Sequence, residues 1–138
     1  VEPARGDTLL PGAREVVSAL AARFRMAIVT SSKPEPFHRA HAATGLLQWF
    51  EFALTREQYA RAKPDPEPYL VARERLGLAA PEVLVIEDSE RGLRAAKAAG
   101  LTCWVVPSPL TAPSDFSGAD ERLGSLREVL ARLEEPRA

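Results

Sequence analysis

The chain has 138 residues, 46% hydrophobic and 27% charged, with a formal net charge of −1 and one cysteine, Cys103. This length suits a single domain, 1–138, with a real core. The near-zero charge offers no basic field for nucleic acid, and a lone cysteine excludes an intramolecular disulfide.

No apolar run reaches the length of a membrane span and no signal-peptide pattern opens the chain, so the expected compartment is the cytoplasm, with no membrane partner. The first residue is Val1, which fits a valine-coded start, a processed terminus or a truncated chain equally well.

Residues 1–10 read as a polar, irregular leader. Pro11 and Gly12 open a helical stretch with Val16, Val17, Leu20 and Phe24 on one face, closed by Arg23 to Arg25. Met26 to Val29 is a short buried strand, followed by Thr30-Ser31-Ser32-Lys33. Pro34 and Pro36 lie at the start of a second helix, where a missing amide donor costs little, and Gly45 is a plausible stop. The aromatic stretch Trp49 to Leu54 contains a further short strand. Trp49, Phe50, Phe52 and Tyr59 are expected in the core.

Three prolines stiffen the segment Lys63 to Pro68, with Asp65 as N-cap and Pro66 as the first residue of a helix that runs to Leu76 and ends at Gly77. Val83 to Ile86 is an apolar run of the kind found in buried parallel strands. Gly92 to Ala99 is an alanine-rich helix ended by Gly100, Cys103 to Val106 the next strand, Pro107 to Gly118 a proline-bearing loop, and Leu126 to Leu133 a last amphipathic helix. Cys103 is expected to be a small core residue on its strand and Lys97 a surface residue. Strand and helix alternate throughout, so the expected fold is α/β, a parallel sheet with helices on both faces.

Chemistry is expected where strands end, because open α/β sheets bind ligands beyond the carboxyl ends of their strands. Glu87 and Asp88 close one strand. Two carboxylates there are costly to desolvate unless compensated, and a hard cation such as Mg²⁺ would compensate them. The plainer reading is an acidic loop with one carboxylate capping the next helix.

Thr30, Ser31 and Ser32 stand between a strand and a helix, where hydroxyls and amides can cradle phosphate or simply cap the helix. Lys63, in its stiff loop, suits neutralisation of a transferring phosphoryl group, although a loop lysine is more commonly just solvated. His38 and His41 are read as an exposed pair, having no third metal ligand nearby. The chain has neither a Walker phosphate loop nor a Gly-x-Gly-x-x-Gly fingerprint.

Taken together, these segments resemble the haloacid dehalogenase superfamily, in particular its phosphoglycolate phosphatase and β-phosphoglucomutase-like branch. Ile28-Val29-Thr30-Ser31-Ser32-Lys33-Pro34 looks like the second motif of that family, and Lys63-Pro64-Asp65-Pro66-Glu67-Pro68-Tyr69 like the third. Val83 to Gly100, with Glu87-Asp88-Ser89 and Gly92, looks like the fourth.

The resemblance implies Mg²⁺-dependent hydrolysis of a small phosphorylated metabolite. Thr30 would bond the transferring phosphoryl group with help from Ser31 and Ser32. Lys63 would stabilise its charge and bridge to the nucleophile. Asp88 would hold Mg²⁺ with Glu87 assisting. A receiver-type signalling domain also places Asp, Thr and Lys at strand ends, but its acidic pair should lie on the first strand.

One departure is large. The first motif of the family, Asp-x-Asp-x-Thr, supplies the nucleophile and the general acid–base, and no Asp-x-Asp occurs in this chain. Asp7, in Gly6-Asp7-Thr8-Leu9-Leu10, is a decoy: no apolar strand precedes it and Pro11-Gly12 follows at once. The helical cap between the first two motifs is also missing.

In the family the first strand is central, so the remaining strands would flank an unfilled position. Backbone groups cannot stay buried and unpaired there. The two halves could pair directly, a strand from Val1 to Leu10 or from a second copy could enter, or the segment was lost from a longer natural chain. Without a nucleophile the chain alone is expected not to turn over. The alternative is a degenerate, non-catalytic phosphate-binding or interaction module. Pairing with another chain is a further expectation.

Overall fold

The structure is a computed structural model that describes residues 13–134. In chain order it contains α1 (Ala13–Ala21), β1 (Ile28–Val29), α2 (Pro34–His41), β2 (Ala53–Leu54), α3 (Glu67–Leu76), β3 (Leu84–Glu87), α4 (Glu90–Ala98), β4 (Thr102–Val105), β5 (Glu121–Arg122) and α5 (Leu126–Glu134), with short 3₁₀ turns at 46–49, 56–58 and 80–82. All strand pairings are parallel: β1 with β2, and β3 with β4 with β5. The expected α/β architecture is present. Parallel neighbours need a crossover connection; α2 lies in the link from β1 to β2 and α4 in that from β3 to β4, whereas β4 and β5 are joined by a loop without a helix.

Among the described residues the strands form two ladders, and β1 and β3 are not hydrogen-bonded to each other. Direct closure of the two halves is therefore not what the chain does. The alternative strand Val1 to Leu10, and the decoy Asp7, lie outside the described residues. Among the described residues, side-chain packing is one of the links between the two ladders. Val29 on β1 packs against the cluster built on Val85, Leu93, Cys103 and Val105, and also against the cluster of Leu54, Tyr59 and Ala72.

Several boundaries differ from those expected of the sequence, for physical reasons. Helix α1 stops at Ala21, which leaves Phe24 beyond it and 40% exposed, its ring 5.8 Å from the Arg23 guanidinium, instead of on the buried face. Helix α3 starts one residue later than expected, so Pro66 and not Asp65 holds the N-cap position; Asp65, one residue earlier, still accepts the Glu67 amide on its Oδ1 at 2.9 Å. Helix α4 starts earlier, at Glu90, because the Ser89 hydroxyl accepts the Gly92 amide at 3.0 Å and makes Ser89 the N-cap. Strand β5 is additional to the expected elements.

His41 is buried, its ring 4.6 Å from that of Phe37, so the expected exposed histidine pair does not exist. Tyr59 is in the core, Phe52 packs at its edge, and Trp49 and Phe50 are only half-buried. Cys103 is fully buried on β4, and burial, then the nearby Glu87 charge, pushes its thiol up to about 12. Lys97 is a surface residue, paired with Asp120 at 2.8 Å. No helix among the described residues is long and apolar enough to cross a membrane.

Candidate active site

Lys63 organises the site. Its Nζ donates to the backbone oxygen of Val29, the last residue of β1, at 3.2 Å and to Glu87 Oε2, on the last residue of β3, at 2.6 Å. The two ladders thus meet through one ammonium group. The Lys63 and Glu87 side chains retain only 10% and 6% of their exposure. The loop that carries Lys63 has a cis peptide at Lys63–Pro64, and the Lys63 carbonyl accepts from Arg91 of α4 at 2.5 Å. An ammonium carries three donors, and two are taken by these partners.

Glu87 is held on every side. Oε2 also accepts the hydroxyl of Tyr69, and Oε1 accepts the Asp88 amide at 3.2 Å and the Ser89 hydroxyl at 3.3 Å. Burial alone would push its carboxyl up. The Lys63 charge and the bonds from Lys63, Tyr69 and the Asp88 amide outweigh that and hold it below the ordinary carboxylate range. Gly92 leaves the space this requires: a Cβ there would lie 1.9 Å from Glu87 Cδ. A glycine one turn into α4 is therefore set by the carboxylate packed against it and not by backbone conformation.

Asp88 is the opposite case. It is exposed and makes no ion pair with any described residue. Partial desolvation, then the charge of Glu87, raises its carboxyl above the ordinary range. A carboxylate destabilised by a neighbouring anion is a place where a cation is welcome. One hard-oxygen ligand for Mg²⁺ therefore fits at Asp88, whereas the oxygens of Glu87 are already engaged by protein donors. Among the described residues no group of three or more His, Cys, Asp or Glu side chains could enclose a metal.

Thr30 follows Val29 directly and is buried, its amide bonded to the Leu54 carbonyl at 2.9 Å and its own carbonyl accepting the Tyr59 hydroxyl at 2.9 Å. Its Oγ1 accepts the Ser32 amide at 3.1 Å, which fixes the hydroxyl in a tight turn, while Ser31 is exposed at the tip. The structure thus brings Thr30, Lys63, Glu87 and Asp88 to one rim, with Ser31 and Ser32 on the adjoining turn. The sequence alone assigns no role to Tyr69 or Arg91. Tyr69 had a usable signal, an aromatic residue on the first turn of the helix that follows Lys63, but its partner Glu87 is 18 positions away and spacing gives no warning of that contact.

A profile described as haloacid dehalogenase-like hydrolase matches residues 1–100. The chain belongs to this family. It is 38% identical over 122 residues to the CbbY protein of Rhodobacter capsulatus, covering 86% of this chain and 54% of that one. It is 36% identical over 125 residues to hexitol phosphatase A of Escherichia coli strain K12, covering 90% and 57%. Among solved structures, CbbY from Rhodobacter sphaeroides in complex with phosphate superposes with a TM-score of 0.75 at 32% identity, covering 86% of this chain and 55% of that one. The chain thus spans about half the length of these relatives. The family and the Rossmann-like core implied by the sequence motifs are those found.

Proposed function

We propose that this chain carries the phosphate- and cation-binding half of a haloacid dehalogenase-type phosphatase site that acts on a small phosphorylated metabolite. The observation that carries the reading is the seat of Lys63 between the last carbonyl of β1 and the last carboxylate of β3. It sets one cationic donor beside the Thr30 hydroxyl loop and the Asp88 carboxylate.

The roles follow from local chemistry. The Thr30 loop offers hydroxyls and amides to phosphoryl oxygens. Lys63 directs its remaining donor and its charge to the same anion. Asp88 supplies one carboxylate to Mg²⁺, which would neutralise charge on the phosphoryl group. Glu87 contributes by holding Lys63 and by raising the demand for a cation at Asp88. Covalent transfer needs a nucleophile, and no Asp-x-Asp motif occurs among the 138 residues. The chain alone therefore binds without turnover, which is also what a non-catalytic phosphate-binding module would do.

Hydrolysis of p-nitrophenyl phosphate in Mg²⁺ separates these alternatives. The chain alone is expected to be inactive. Extending it at its N-terminus with the genomic reading frame upstream of Val1, where that frame encodes Asp-x-Asp-x-Thr, is expected to give activity that Asp88→Ala removes. Turnover by the chain alone, lost in Asp88→Ala, would show that a nucleophile is already present within the 138 residues and contradict the expected inactivity. An upstream extension that carries the motif and stays inactive would favour the binding module.

A further inference from the structure

We propose that Tyr69 is a positioning residue for Lys63, a role that rests on the phosphate-site reading for its purpose but not for its geometry. Tyr69 touches both members of the buried ion pair. Its hydroxyl donates to Glu87 Oε2, the oxygen that also receives Lys63 at 2.6 Å, and its ring centroid lies 5.2 Å from Lys63 Nζ. Tyr69 is itself buried and belongs to the main core cluster beside Val85, Leu93 and Cys103.

The helix geometry explains why this residue can do so. Tyr69 is in the first turn of α3, and its amide is bonded to the Pro66 carbonyl at 3.1 Å. Its Cα position is therefore tied to the same proline-stiffened segment that carries Lys63. A flexible lysine stem loses considerable rotamer freedom when its head is fixed. Here the head is fixed by a carbonyl, a carboxylate and the face of an aromatic ring, and the ring's own hydroxyl prevents the carboxylate from rotating away. A donor for an incoming anion is preorganised only if the groups behind it do not move.

The inference is tested at fixed pH on the full chain, by proton–nitrogen correlation spectra of the lysine ammonium groups. Lys63 is assigned from the signal lost in Lys63→Gln. In the wild type this ammonium is expected to exchange slowly with solvent. In Tyr69→Phe, which keeps the ring and removes only the hydroxyl, exchange is expected to rise about tenfold, the scale of one hydrogen bond to a charged group, in a protein that is still folded at the temperature of measurement.

A second measurement needs no variant. The Tyr69 hydroxyl proton should be visible in the wild type, with a through-space contact to the Lys63 ammonium. Unchanged Lys63 exchange in a folded Tyr69→Phe, or no such hydroxyl proton, overturns the proposal. Inorganic phosphate titrated into both proteins separates this outcome from the wider reading. If the wild type fails to bind phosphate while Tyr69→Phe still loosens Lys63, the positioning role stands and the phosphate site falls. Equal phosphate affinity together with unchanged Lys63 exchange sinks the positioning role and leaves the site intact.

Discussion

Glu87 and Asp88 are chain neighbours held in opposite electrostatic conditions, and each adds to the pH dependence of stability with its own sign. Glu87 has a folded-state pKa below its unfolded value of about 4.3, with Lys63 and Tyr69 as partners. The unfolded state therefore binds more protons in that window. The stabilisation is complete above the unfolded value and is lost as pH falls through the folded one. Asp88 is raised, so its contribution has the other sign: the penalty on the folded state sets in as pH rises past the unfolded value and is complete above the folded one. Asp88→Asn is accordingly expected to raise the thermal midpoint at neutral pH in chelator and to abolish any stabilisation by added Mg²⁺. Differential scanning fluorimetry with and without the ion reads both effects.

Removing Lys63 leaves a buried anion unpaired, and Lys63→Met is expected to cost about 3–5 kcal/mol by urea denaturation. Gly92→Ala should destabilise by about 1–3 kcal/mol, because an added methyl overpacks the site where Glu87 Cδ now sits. A Gly92→Ala protein as stable as wild type would show that Glu87 can move away without loss.

At the level of elements, the strand ends position the chemistry and the helix starts hold it. Ser89 caps α4 through the Gly92 amide and also donates to Glu87. Ser89→Ala is expected to lower stability by about 1 kcal/mol, a typical capping loss. Thermal unfolding checks it, and an unchanged midpoint would mean water replaces the hydroxyl.

Some of these elements are easy to see in the sequence. The apolar run into Glu87, the glycine that ends α3 in a left-handed conformation (Gly77, φ +68°) and the prolines around Lys63 are local signals. Other features have none. Strand β5 is two residues, Glu121 and Arg122, paired beside Trp104 and Val105, and its polar composition reads as loop. Phe24 matches the helical period but falls beyond the last turn of α1, where periodicity no longer determines burial. His41 looks like a surface residue because its partner ring, Phe37, is a helix neighbour whose burial depends on tertiary packing. The candidate site is legible as three separate motifs. That Lys63 takes both Val29 and Glu87 as partners is not, because those contacts span 34 and 24 residues.

At the scale of the molecule, the two parallel ladders are linked, among the described residues, by a shared apolar core at Val29 and by the Lys63 ammonium. Helices α1 and α5 pack against each other, with Val16 and Val129 buried and Glu15 paired with Arg127 at 3.2 Å. This arrangement keeps three distant segments of sequence at one rim. Its central consequence is that a single anion should be felt by all three at once. The most direct measurement is a backbone proton–nitrogen spectrum of the full chain titrated with inorganic phosphate in the presence of Mg²⁺. The amides of Thr30, Ser31, Lys63 and Asp88 should shift together with one saturation curve, which weakens when Mg²⁺ is removed and disappears in Lys63→Met. Shifts confined to one loop, or absent altogether, would contradict a common site.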